Sequence, residues 1–189
     1  MQLELALMSW KNTESRYGNL SLGLHWLMLL MIAAVYLTME FRGIFPKGSD
    51  GRTLMKELHF LLGLSIFALV WVRLLARLLN PSPRIQPAPP ALQANAAKLM
   101  YLALYLLMIC TPLLGWLLLS AEGKPIAAFG LELPALLDKD RTLAKQIEHW
   151  HVWIAESGYW LIGLHAAAGI YHHLIRRDNA LRMLLPTSK

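Results

Sequence analysis

Residues 148–177, EHWHVWIAESGYWLIGLHAAAGIYHHLIRR, limit what this chain can fold into more than any other stretch. The run is long enough to cross a membrane as a helix, since about 20 mostly apolar residues span the hydrocarbon. Yet it holds five of the chain's seven histidines. An ionisable side chain at that depth is costly and marks a functional site by default. His151 and His165 are fourteen residues apart, which on a helix is about 21 Å of rise and nearly a whole number of turns, so both lie on one stripe. Two ligands on one stripe suit two stacked haems. Gly158, Gly163, Gly169 and the three alanines at 166–168 leave room for something bulky. The partner ligands must then come from other helices.

Composition agrees with a membrane setting. Of 189 residues 56 % are hydrophobic and only 16 % charged, below the soluble average of about 25 % charged. The length suits one domain of four spans, with no internal repeat. A net charge of +6 raises nucleic acid as a partner, but the cations sit in the connections between apolar runs rather than on one basic face, so no nucleic acid is expected. Cys110 is the single cysteine and lies inside an apolar run. There is therefore no disulfide and no C-x-x-C-H attachment site, and any haem must be held non-covalently.

Taken in order, residues 1–16 read as a cytoplasmic N-terminal extension that lacks the features of a signal peptide. The first span is expected over residues 20–39 with His25 in its first turns, and the second over 53–79 with His59 near its start. Residues 80–90, NPSPRIQPAPP, cannot continue a helix, because proline lacks the amide donor. The third span, 97–120, has no histidine and reads as a packing wall, with Pro112 as a local kink. Residues 121–146 form the longest loop, and the fourth span begins near Leu143. The Lys and Arg residues on the side of both termini hug the span ends, while the opposite loops carry most of the acids, which places both termini in the cytoplasm.

In that topology His25 and His165 share the inner half of the bilayer, and His59 and His151 share the outer half. Each pair comes from two helices at one depth, which is what a six-coordinate b-type haem with two imidazole ligands requires. The alternative for any one of these histidines is an interhelical hydrogen bond. His172 faces the same way as His165 but reads as an interfacial residue beside Arg176 and Arg177, and His149 points off the stripe. Arg73 and Arg77 either pair with the propionates of the inner haem or snorkel to headgroups. Glu156 is a proton-path residue or an interfacial carboxylate. A zinc or iron transport site would want three or four ligands at one depth, and the histidines are instead spread in pairs. No catalytic side chain stands out.

The runs SLGLHWLMLLMIAAVYLTMEFRGIFP, MKELHFLLGLSIFALVWVRLLARL, GKPIAAFG and WHVWIAESGYWLIGLHAAAGIYHH closely resemble the bacterial cytochrome b561 family over residues 17–186. Within it, MEFRGIFP and GYWLIGLHAAA are most similar to its di-haem, superoxide-oxidising members. The resemblance implies an all-α, integral membrane four-helix bundle enclosing two b-type haems, with iron ligated by His25, His59, His151 and His165. It implies a superoxide:ubiquinone oxidoreductase of the bacterial inner membrane, taking electrons from superoxide at the periplasmic face and passing them to ubiquinone, with protons drawn from the cytoplasm. No obligatory protein partner is implied. Related members instead serve as electron-transfer subunits between a dehydrogenase or hydrogenase and the quinone pool. Arg42, Lys47, Arg52 and Lys56 in the first outer loop are candidates for steering an anionic donor.

Overall fold

The computed structural model describes residues 10–185. Four long helices dominate it: α1 (Asn19–Phe41), α2 (Asp50–Leu79), α3 (Ala91–Glu122) and α4 (Arg141–Tyr171). Short 3-10 turns follow α1 at Arg42–Ile44 and close the described chain at Arg182–Leu184, and α4 passes into a π turn at His172–Arg176. The protein is all-α apart from a two-rung antiparallel hairpin, β1 (Ala127–Ala128) and β2 (Leu131–Glu132), which pairs Ala127 with Glu132 and Ala128 with Leu131. That hairpin lies within the long loop expected at 121–146. Its turn places Phe129 at φ 55° and Gly130 at φ 77°. Both central residues of a tight primed turn need positive φ, a conformation glycine adopts freely and phenylalanine rarely.

Of the four helices, α1 with its 3-10 extension, α2 and α3 are long and apolar enough to cross a membrane. Only 11 % of the residues in the most apolar stretch of each are buried within the protein. Leu30, Leu78, Leu79 and Leu99 lie on the outside, a distribution that water would penalise and lipid does not. Helices suit that solvent because every backbone polar group is paired inside the segment. By contrast α4, at 31 residues, has the length but not the apolar composition. Its polarity comes from Glu148, His149, His151, Glu156, Ser157 and His165, the residue types a site needs.

The helices start earlier than hydropathy alone suggests, because caps rather than lipid decide where they begin. Asp140 Oδ1 accepts from the Thr142 and Leu143 amides at 2.8 and 3.0 Å, so α4 opens at Arg141 rather than near Leu143. Ser49 caps α2 through a 3.3 Å bond from the Arg52 amide. Beyond Pro90, α3 begins at Ala91, six residues before the apolar run expected at 97, because its Ala, Leu and Gln are good helix formers in water.

Packing divides the chain into two compact units, and each long helix gives one segment to each. The first comprises the described parts of 1–27, 71–105 and 158–189; the second comprises 28–70 and 106–157. In the second unit Ala121, Ala144 and Ile147 form a buried cluster against Leu114, Leu117 and Leu118. In the first, the 80–90 connector is clasped from both sides. Asn12 Nδ2 donates to Pro81 O at 3.0 Å and the Arg84 amide to Glu14 O at 2.9 Å. From the chain's end, Asn179 Oδ1 accepts from the Gln86 amide at 2.7 Å and Asn179 Nδ2 donates to Arg84 O at 3.2 Å. Of the expected extension, residues 10–16 are thus part of this unit, while residues 1–9 and the domain end at Pro186 lie outside the described residues.

Candidate functional site

In the second unit α2 supplies His59 and α4 supplies His151, and the two imidazoles lie edge-on with ring centroids 6.1 Å apart and planes at 74°. His59 Nδ1 lies 3.2 Å from Val35 O and 3.4 Å from Thr38 Oγ1. Thr38 Oγ1 itself donates to Val35 O at 2.6 Å. His151 Nδ1 lies 2.9 Å from Thr111 O. A carbonyl oxygen can only accept, so each Nδ1 carries the ring proton and each Nε2 keeps its lone pair. Metal-binding histidines are fixed in this way by the hydrogen bond their other nitrogen makes.

The acceptor for His151 sits on α3, where Pro112 lies in the helix interior. The proline has no amide to give, so the turn before it is one backbone bond short. The carbonyl of the neighbouring residue, Thr111, takes the imidazole. One turn on, a β-carbon at Gly115 would touch His151 Cε1 at 3.4 Å. The third span, expected to be only a packing wall, therefore orients a site residue. A small cleft is lined by His59, Gly63, Leu64, Pro112, Gly115, Trp116 and His151. A β-carbon at Gly63 would meet nothing within 4 Å.

These residues fit a haem iron. Two metal–imidazole bonds of about 2 Å, with the ring radii, put bis-ligated centroids about 6 Å apart, and the observed separation is 6.1 Å. Among the described residues no group of three or more His, Cys, Asp or Glu converges to hold a metal ion.

The first unit holds the other pair, His25 on α1 and His165 on α4. Here Arg73 Nη2 lies 3.2 Å from His25 Nδ1. A guanidinium can only donate, so His25 Nδ1 accepts and the ring proton sits on Nε2. His165 meets the Tyr101 ring edge-on at 6.4 Å. Arg77 lies over the same ring, 4.8 Å from its centroid, a cation–π contact that neither sequence reading of this arginine included. Among the described residues neither Arg73 nor Arg77 forms an ion pair with a carboxylate, which leaves both charges available to an anionic group.

The competing residues sort clearly. His149 and Glu156 are exposed. His172 bonds Asp178 through Nδ1 at 2.6 Å, and Asp178 is buried. Sequence reasoning missed Thr38, Thr111, Gly115, Tyr101 and Asp178. Only Asp178 had a visible signal, as the acid that follows the His-His and Arg-Arg pairs at the end of the last helix.

The prokaryotic cytochrome b561 model matches residues 16–186. Cytochrome b561 homolog 1 of Escherichia coli (strain K12) is 37 % identical over 93 % of this chain and 99 % of its own. The probable superoxide oxidase CybB of Yersinia pestis is 33 % identical over 93 % and 99 %, and cytochrome b561 homolog 2 of the same E. coli strain is 30 % identical over 96 % and 97 %. A family built on b-type haem accounts for paired imidazoles in apolar helices, and this chain belongs to it: it is a prokaryotic cytochrome b561, a membrane electron-transfer protein.

Proposed function

We propose that this cytochrome is a superoxide:ubiquinone oxidoreductase of the bacterial inner membrane, with both termini cytoplasmic and two non-covalent, bis-histidine b-type haems. In the net reaction two superoxide anions and one ubiquinone, with two protons, give two dioxygen molecules and ubiquinol. When bound, each haem supplies one-electron redox chemistry at its iron.

The residues do the positioning. His59 and His151 hold the periplasmic haem, kept in the ligating tautomer by Val35 O and Thr111 O. His25 and His165 hold the cytoplasmic one, and Arg73 and Arg77 offer charge to its carboxylates. Apolar helix faces keep water away from both. The observation that carries this reading is the pair His59 and His151, with ring centroids 6.1 Å apart and both Nδ1 atoms on carbonyls. The donor is read from the relative whose name is probable superoxide oxidase, matched over 99 % of its length.

The test is a superoxide-dependent ubiquinone reduction assay on the purified, red protein. Ubiquinol formation that needs superoxide is the expected result. A colourless preparation after haem feeding overturns the haem assignment, and a red protein inert to superoxide overturns the donor.

A further inference from the structure

Residues 125–137, PIAAFGLELPALL, lie outside the four helices and carry one charged side chain, Glu132. This loop is strapped to the last turns of α3. Trp116 Nε1 donates to Pro134 O at 3.0 Å, the Leu136 amide to Ser120 Oγ at 3.1 Å and the Lys124 amide to Leu119 O at 3.0 Å. The hairpin therefore stands at the end of a helix long and apolar enough to span a bilayer.

The pairing of Ala127 with Glu132 and Ala128 with Leu131 gives the hairpin two faces, because successive strand residues point opposite ways. A further bond, from the Leu133 amide to Ile126 O at 2.7 Å, extends the same register by one step. Ala127 and Glu132 share one face, and Ile126, Ala128, Leu131 and Leu133 share the other, which is wholly apolar. At its base that face is covered: Ile126 is 4 % exposed and Ala128 6 %, and Ile126 lines the cleft of His59 and His151. At the tip Leu131 is 67 % exposed, and Phe129 in the turn 73 %.

Phe129 is also the residue held at φ 55°, in a turn that Asn-Gly fits best. A bulky side chain kept in that conformation costs energy, and such outliers point to function. Its ring is left mostly uncovered by the protein, so packing within the chain does not offset the strain.

We propose that Phe129 and Leu131 insert into the headgroup boundary of the lipid leaflet at that end of α3, and so hold the Ile126 end of the hairpin over the cleft. Lipid is the occupant because the tip continues the outer surface of a spanning helix. Phenylalanine and leucine are also the residues that interfacial segments bury about 5–10 Å deep. Lys124, the cation beside the hairpin, is paired with Glu122 at 2.7 Å, so the attraction is apolar and needs no anionic headgroup. The insertion does not depend on the haem reading; its effect on the cleft does.

The experiment places the full chain, loaded with haem, in phosphatidylcholine vesicles, with Cys110→Ser and a nitroxide attached in Leu131→Cys. The references are nitroxides in Leu30→Cys, on the lipid side of α1, and in Lys47→Cys, exposed in the first loop. Collision with oxygen, which gathers in lipid, is compared with collision with a water-soluble nickel chelate. The ratio in Leu131→Cys should match that in Leu30→Cys. Adding Phe129→Asn, which the left-handed turn accepts with less strain, should move it to the Lys47→Cys value. A tip that matches Lys47→Cys with Phe129 in place stands in water, and a tip shielded from both probes is covered by protein, a second copy of the chain included; either result overturns the proposal. Haem transfer to apomyoglobin from the His59 and His151 site should be a few-fold faster in Phe129→Asn, and an unchanged rate would show that the tip does not hold the cleft.

Discussion

His59 and His151 rest Nδ1 near backbone carbonyls, whereas His25, in the other unit, meets the guanidinium of Arg73. A carbonyl asks the same of the imidazole whether or not Nε2 binds a metal. A guanidinium does not, because an imidazole that ligates through Nε2 must protonate Nδ1, and one that ligates through Nδ1 has used its lone pair. Under the proposed ligation the first pair is finished by the polypeptide alone. The second is finished only when Arg73 moves off His25 and finds an anion, such as a haem carboxylate.

The largest test of this contrast removes one ligand. His59→Ala or His151→Ala should each lose the same haem and leave the other, as read by haem quantification and the reduced spectrum; if His25→Ala and His151→Ala lose the same haem, the pairing is wrong. His172→Ala should keep both.

Next in size, Gly63→Leu puts a side chain into space that nothing fills. It should exclude the haem of His59 and His151 without lowering the melting temperature of the haem-free protein, whereas a drop in that temperature would show the space to be needed for packing.

Arg73→Gln should separate the two units further. Charge-assisted hydrogen bonds contribute about 1.5–3 kcal/mol, so haem transfer to apomyoglobin should speed up roughly 10- to 100-fold from the His25 and His165 site. The His59 and His151 site should be unchanged, and equal acceleration at both would break the contrast.

A smaller and pH-dependent effect belongs to Asp178→Asn. The folded carboxyl lies below its ordinary value, so its stabilisation is present above the unfolded value of about 4 and is lost as pH falls through the lowered folded value. Wild type should melt above the variant at neutral pH, with the gap closing in acid, and a gap that widens in acid would contradict the assignment.

The smallest effect concerns steering. Arg52 Nη1 donates to Arg42 O and Phe45 O, both at 3.2 Å, so this cation is tied to the backbone of its own loop. Neutralising Arg42, Lys47 and Lys56 instead should slow haem reduction by superoxide a few-fold at low salt and little at physiological salt. Equal rates in stopped flow would remove this loop from the encounter.

That His59 and His151 come together was legible because helical rise and chain direction bring them level without knowledge of contacts. The shell around them was not. Val35 and Thr111 act through carbonyls, which every residue has, so no side-chain pattern announces them. Arg77 was read for charge alone, and its place over Tyr101 depends on how α2 and α3 pack. The start of α3 was missed because hydropathy reports where lipid begins, and a helix can begin in water.

Asn12 bears on where the molecule can be cut. The family match opens at residue 16, yet Asn12 Oδ1 accepts from the Gly18 amide at 2.9 Å and from Ser21 Oγ at 2.8 Å while its Nδ2 holds Pro81 O. The Trp10 and Lys11 backbone lies so close over Gly18 that no β-carbon fits there. The line that homology draws and the line that folding draws are therefore different. A chain trimmed to the first would leave the start of α1 and the proline connector each short of a partner.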